Sequence, residues 1–313
     1  MSEGFLSIVN CIATLGLAIL VGFVCSKSGY LPQGVKPALS KIVVKLTLPV
    51  LIATSLTKTE ITPEKLVNSA FVIASGLLTI ALLQLAGYLT ERLFKKSAPP
   101  ILHRCMTSFG NVVFVAYPLI QSLYGDEGLY YAALFAFSSD CWLWTFGVYS
   151  LSKLGGKATS LTSNLKRLVN PSTIAFAVSF VMMIFKLRFG GIIGDVMNGF
   201  GSTTTYLSML FIGCVLAEVD FKGIYKRAPL FVLTLLKMII IPVIMIFIFK
   251  LFPFSEEVKS IIILQAGMPV STVLVMLCSE YGGDVKYSAE GVFISTLASL
   301  VTLPAVYSLI AVL

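Results

Sequence analysis

Two clusters of helix-hostile residues sit inside long apolar stretches: Gly110-Asn111 with Pro118 further on, and Gln265-Ala266-Gly267-Met268-Pro269. Proline removes a backbone donor and clashes with the preceding turn, while glycine tolerates the unwound chain that results. Backbone groups freed at bilayer depth must be met by protein, water or ligand. Helix N-termini created there carry partial positive charge and attract anions. Two such breaks have the chemistry of an anion site built without a basic side chain, the carboxylate held by Asn111 and the backbone around Gly267 and Met268. Asn111 offers both a donor and an acceptor at the first break, and Gln265 offers the same just before the second. Asp140, in Phe137-Ser138-Ser139-Asp140, is the sharpest ionisable residue. A carboxylate inside a membrane span is a functional hypothesis by default. With Ser138 and Ser139 it forms a set of hard oxygens suited to coupling a proton or a cation such as sodium. Glu290, near the start of the last apolar stretch and interfacial in position, is a further coupling candidate. Gln84 reads as a helix–helix contact, and Lys45 and Lys237 as side chains that snorkel.

The elements that carry these residues are duplicated. Residues 107–151 align with 264–308 at a constant offset of 157, with ten identical positions. A chain of this composition gives roughly three by chance. The matches include Gly110 with Gly267, Ser122 with Ser279, Tyr124-Gly125 with Tyr281-Gly282, Tyr130 with Tyr287, and Thr145 with Thr302. Each copy runs as an interrupted apolar stretch, a short polar turn and a second apolar stretch. Paired, interrupted membrane helices are the best sequence pointer to the binding site of a secondary transporter.

Composition sets the environment. Of 313 residues 57% are hydrophobic and 12% charged, with mean hydropathy +0.93. Soluble domains carry about 25% charged residues, so the chain reads as an integral membrane protein. Ten apolar spans are expected, near 4–25, 37–57, 67–90, 104–124, 128–152, 171–187, 199–217, 229–251, 258–278 and 287–311. The first lacks a positive start and is read as a retained helix rather than a signal peptide. Alternate connections hold 14 and 6 of the Lys and Arg residues. The richer side is cytoplasmic by the positive-inside rule, which puts both termini outside the cytoplasm in a multi-pass protein of the cell membrane. The net charge of +8 is thus a topology signal and not a nucleic-acid footprint. Ten spans halved by the repeat give two units of five, over 1–153 and 165–313, the second inserted upside down. The expected fold class is an all-α membrane protein of ten transmembrane helices in two inverted five-helix repeats, with helices 4 and 9 broken and crossing. The six cysteines and the lone His103 have no metal-ligand spacing, so neither a metal site nor a cofactor is expected.

At these residues the chain resembles the auxin efflux carrier family, which belongs with the bile acid:sodium symporters in a wider superfamily. The resemblance spans essentially the whole chain. It rests on Leu46-Thr47-Leu48-Pro49, Gly110-Asn111 with Pro118-Leu119, Tyr124-Gly125, Asn170-Pro171, Gly267-Met268-Pro269, and Ser295-Thr296 followed by Leu303-Pro304. It implies spans 4 and 9 crossing at the membrane centre, and a scaffold and a panel that slide past each other. It also implies small organic-anion substrates, such as auxin in plants and dicarboxylates in bacteria, and an association into homodimers. Asn111 and the second break would then bind the substrate carboxylate. The chain departs from the family pattern at Val112-Val113, where Thr-Gly is usual, and at Ala116-Tyr117, where a glycine precedes Pro-Leu. Its short 153–170 connection marks a compact bacterial type.

The expectation is therefore a carrier of a mono- or dicarboxylate by alternating access, and not an enzyme. Its partners would be the anion and the bilayer. A sodium symporter of the bile-acid type, and a channel or sensor built on the same fold, are the alternatives. An intramembrane aspartyl protease is disfavoured, because Asp284 falls in a turn and Tyr281 stands where its motif needs glycine.

Overall fold

The computed structural model describes residues 3–32, 34–94, 97–154, 165–219 and 223–312. Lys95, Lys96, Lys157 and Lys222 of the basic connections lie outside these residues, as does 155–164 between the two expected units. The described chain is helical and contains no strand.

Its helices are α1 Glu3–Lys27, α2 Val35–Ile42, α3 Leu48–Leu56, α4 Pro63–Leu93, α5 Pro100–Ser108, α6 Ala116–Trp142, α7 Val148–Ser152, α8 Pro171–Ile184, α9 Gly191–Ala217, α10 Ala228–Leu235, α11 Ile241–Phe249, α12 Glu256–Ala266, α13 Val273–Tyr281 and α14 Val285–Val312. Three single π-turns, Val43–Thr47, Leu143–Gly147 and Leu236–Ile240, join α2 to α3, α6 to α7 and α10 to α11. Six of the resulting helical stretches are long and apolar enough to cross a membrane. The expected spans 4 and 9 fall short because each is cut in two.

Starts follow from local chemistry. Thr62 accepts from Lys65 N at 3.1 Å ahead of Pro63, whose ring suits the first helical position. Asn170 and Thr173 form a reciprocal capping box ahead of Pro171. The expected seventh span near 199 begins earlier, at Gly191, and takes Asp195 and Asn198 into the helix. The polar turn expected after Tyr124 is compressed into one residue: Gly125 at φ 63° and ψ −153° kinks an otherwise continuous α6. Its repeat counterpart Gly282 also has positive φ, 69°, and caps α13. Glycine takes such positive φ values most readily, so the sequence match at these two positions records a shared backbone need.

The helices pack as two groups. One joins α1, α3, α8 and α9; the other joins α4, α5, α6, α10, α12 and α14. Within the first, α1 and α9 touch backbone to backbone. A Cβ on Gly213 would lie 2.1 Å from Ile19 O, and one on Gly22 would lie 2.4 Å from Leu210 O. Small residues permit such approach where lipid provides no hydrophobic drive between helices. Large apolar side chains such as Leu17, Leu20, Val21, Leu85 and Leu89 remain outward-facing, as a lipid-facing surface requires.

Ion pairs tie the connections together in two sets. Lys58–Asp126, Lys65–Glu127 and Arg188–Glu60 link the ends before α4, within α6 and before α9. Lys36–Glu218 links the first turn of α2 to the end of α9, and Arg227–Glu290 links the start of α10 to the start of α14.

Candidate transport site at the two helix breaks

The two breaks meet. Gly110 and Val270 form an isolated antiparallel bridge. Asn111 N donates to Pro269 O at 2.7 Å, and Ser271 N donates to Phe109 O at 3.1 Å. Gly110 suits this approach, since a Cβ there would lie 3.2 Å from Met268 Cβ and would ask that side chain to give by a few tenths of an ångström. The register is not that of the sequence repeat, which aligns Gly110 with Gly267; the second break reaches across three residues later.

Asn111 is buried at this crossing, 1% exposed. Its Oδ1 accepts from Phe114 N at 3.1 Å, and its carbonyl accepts from Val115 and Ala116 N. It therefore caps, in the manner of an N-cap, the turn 112–115 that leads into α6. Its Nδ2 has no partner. A buried amide donor without an acceptor is costly, about 1–3 kcal/mol, and suits a ligand oxygen. The N–H groups of Val112 and Val113 also lack a protein acceptor among the described residues.

Several sequence expectations are corrected here. Pro118 does not break the helix. It occupies the first turn of α6, where its missing N–H has no intrahelical acceptor in any case. Gly267 and Met268 do not present free donors: their N–H groups bond Ile263 O and Gln265 O at 3.2 and 3.3 Å. They terminate α12, the negative end of a helix, and are the wrong polarity for an anion. Gln265 spends its donor on Ala132 O at 3.2 Å, leaving its buried Oε1 without a partner. Pro269 contributes its carbonyl to the crossing.

The coupling candidates do not gather. Ser138 donates to Ile73 O of α4 and to Leu134 O, both at 3.2 Å. Ser139 is buried and makes no hydrogen bond to either break. Glu290, near the start of α14, is 2% exposed and lies 2.8 Å from Arg227 Nε. Asp140 lies in a separate cavity beside α6 and makes no bond to the first break.

Two residues matter more than their sequence setting suggests. Ser295 Oγ accepts from Val270 N at 2.9 Å while donating to Gly291 O at 2.7 Å, so it pins the second break. Its repeat counterpart Ser138 makes the same back-bond four residues earlier, which is the signal that could have found it. Lys237 does not snorkel: it is fully buried in the third π-turn, and its Nζ donates to Thr107 O at 2.8 Å. Lys45 is exposed, as snorkelling requires, and Gln84 is a helix–helix contact, accepting from Ser108 Oγ.

Two cavities flank the breaks. One of about 530 Å³ lies against Pro118 and Gln121 of α6, with Thr54, Ser55, Lys58 and Asp126. The other, about 710 Å³, lies against Thr272 and Met276 of the second break and α13, with Lys36, Glu218 and Glu290. Thr272 Oγ1 is buried and partnerless. Among the described residues no group of three or more His, Cys, Asp or Glu is placed to hold a metal. His103 instead bonds Tyr287 OH at 2.8 Å and Thr90 Oγ1 at 3.1 Å.

A multi-pass helical protein whose interrupted helices meet at a buried polar crossing has the makings of a membrane transporter, and similarity to known proteins agrees. A family model described as membrane transport protein matches residues 7–307. The chain belongs to this family, the auxin efflux carriers. An uncharacterized transporter of Methanothermobacter thermautotrophicus is 23% identical over 303 residues, covering 96% of this chain and 97% of its own. Another, from Methanocaldococcus jannaschii, is 22% identical over 291 residues, covering 92% and 94%.

Proposed function

We propose that the chain is a secondary carrier of a small organic carboxylate, working by alternating access, with ten transmembrane helices in two inverted five-helix repeats. The observation that carries this reading is the buried, partnerless Asn111 amide at the crossing of two broken helices. Such an amide and the free Val112 and Val113 N–H groups suit one carboxylate. The two flanking cavities suit the alternating state: one bears Lys58–Asp126, the other Lys36–Glu218, drawn from the two separate sets of ion-paired connections. That separation supports the odd and even connections lying on opposite sides, with both termini outside the cytoplasm and the protein in the cell membrane.

Transport is sodium-independent in this reading. Half-helix C-termini are where carriers of this kind place sodium, and at α5 that position is filled by the Lys237 ammonium. The test is flux of labelled malate, malonate, lactate and indole-3-acetate into proteoliposomes under a proton gradient, a sodium gradient or membrane potential alone. Saturable uptake of at least one acid, accelerated by counter-substrate inside, is expected. Absence of flux and of binding for every acid by folded protein would sink the reading.

A further inference from the structure

The cavity beside α6 that holds Asp140 encloses about 590 Å³. Its wall is aromatic, with Phe114, Tyr117, Phe137, Trp144, Phe176 and Phe180. Asp140 is its one charged lining residue, and no hydrogen bond or ion pair engages the carboxylate among the described residues. Arg167 stacks over the Trp144 ring with its guanidinium 5.5 Å from the centroid, but pairs with Glu280 at 3.0 Å instead.

The fold does not need this carboxylate. A second cavity, between α1 and α14, is lined by Phe293, Leu297, Leu300 and Val301. These stand 157 residues beyond Ala136, Asp140, Leu143 and Trp144 of the first. The duplicate thus repeats the cavity and places Leu297 where the first copy has Asp140. A lone carboxylate in apolar surroundings costs several kcal/mol, about as much as an unpaired buried charge. Where the second copy has the half-exposed Leu297, the first sets a carboxylate in an aromatic-walled cavity that supplies no cation of its own, and a cationic occupant would complete it.

We propose that this cavity binds a small organic ammonium ion, its charge on Asp140 and its apolar body against the aromatic wall. Carboxylate and ring faces together are the chemistry that recognises such cations: an ion pair, with ring quadrupoles adding attraction to the same charge. The cavity borders the first break through Val113 and Phe114, so an occupant abuts the crossing without using Asn111. The assignment stands apart from the carboxylate reading and survives its failure.

The full chain in micelles of the uncharged detergent dodecyl maltoside, titrated with radiolabelled phenethylamine, tests it. Saturable binding is expected, displaced by unlabelled amine and not by equal phenylacetate. Asp140→Asn and Asp140→Leu should weaken it by about tenfold or more, Asp140→Glu much less, and Phe176→Leu severalfold. Asp140→Leu copies Leu297 and should unfold no earlier than wild type, which separates lost binding from lost fold. Adding phosphatidylethanolamine distinguishes sources of the ammonium: competition assigns the site to a lipid headgroup, and its absence to a soluble amine. No saturable binding to wild type, or unchanged affinity in folded Asp140→Asn, overturns the proposal.

Discussion

The Lys237 ammonium lies 2.8 Å from the carbonyl oxygen of Thr107, in the last turn of α5 where that helix stops. A helix C-terminus leaves carbonyls without partners and carries partial negative charge. Lys237 meets both needs from a π-turn, a local widening frequent at functional sites. Replacing it with alanine leaves Thr107 O buried and unpaired, at a cost of about 1.5–3 kcal/mol. We expect Lys237→Ala to lower the melting temperature in detergent and to slow carboxylate flux. Wild-type flux should not change when external sodium is exchanged for potassium at fixed membrane potential.

Asn111 has two jobs on two atoms, and they can be separated. Asn111→Asp keeps an oxygen to accept from Phe114 N but removes the free Nδ2 donor. Asn111→Ala removes both, and loss of the cap alone costs about 1 kcal/mol. Asn111→Asp buries a carboxylate, offset in part by the N–H groups at the start of the following helix, so some loss of stability is expected; the folded protein should lose most acid uptake, since a carboxylate repels the substrate's own. Near-normal uptake by Asn111→Asp would remove the residue from the site.

The paired serines predict opposite outcomes. Ser295→Ala strands Val270 N at the crossing, with an expected cost of about 1–3 kcal/mol and reduced flux. Ser138→Ala removes only a hydroxyl donor to two helix carbonyls and should stay within about 0.5 kcal/mol of wild type. Thermal unfolding of both variants, side by side, checks this.

Gly213→Ala should be the most damaging of the conservative changes. Its Cβ would sit 2.1 Å from Ile19 O and 2.6 Å from Phe23 N, both backbone atoms that cannot rotate away. Overpacking typically costs 1–3 kcal/mol, and about the upper end or more is expected where backbone must shift. The readout is the fraction of monodisperse protein after extraction; Gly199→Ala, with open space around it, is the control.

What the sequence made legible was the position of each break and the pairing of the two copies, because glycine and proline mark backbone needs that act locally. Gly125 and Gly282 show this: one residue type, one sign of φ, at matched positions. Polarity was harder to read. Along the chain Gly267-Met268-Pro269 looks like a fresh helix start, and only the hydrogen bonds to Ile263 and Gln265 reveal it as an end. Pro118 posed the same ambiguity, since a proline in a first turn and one in an interior look alike in one dimension. Lys237 was misread because its partner is 130 residues away in sequence; periodicity sees a cation in a span and not the carbonyl that receives it. Ser138 and Asp140 are close in sequence but turn to different neighbours, the serine to α4 and the aspartate to its cavity.

The crossing itself is held by main-chain bonds, Asn111 N to Pro269 O and Ser271 N to Phe109 O. Such a clasp is indifferent to most side chains. Sequence drift can exchange the residues on either strand of it freely, provided position 110 stays small and positions 111 and 271 keep an amide hydrogen. Neutral divergence can thus retune what is carried while the mechanical centre stays fixed. Proline at 111 or 271, or an ester in place of either amide, would unfasten it.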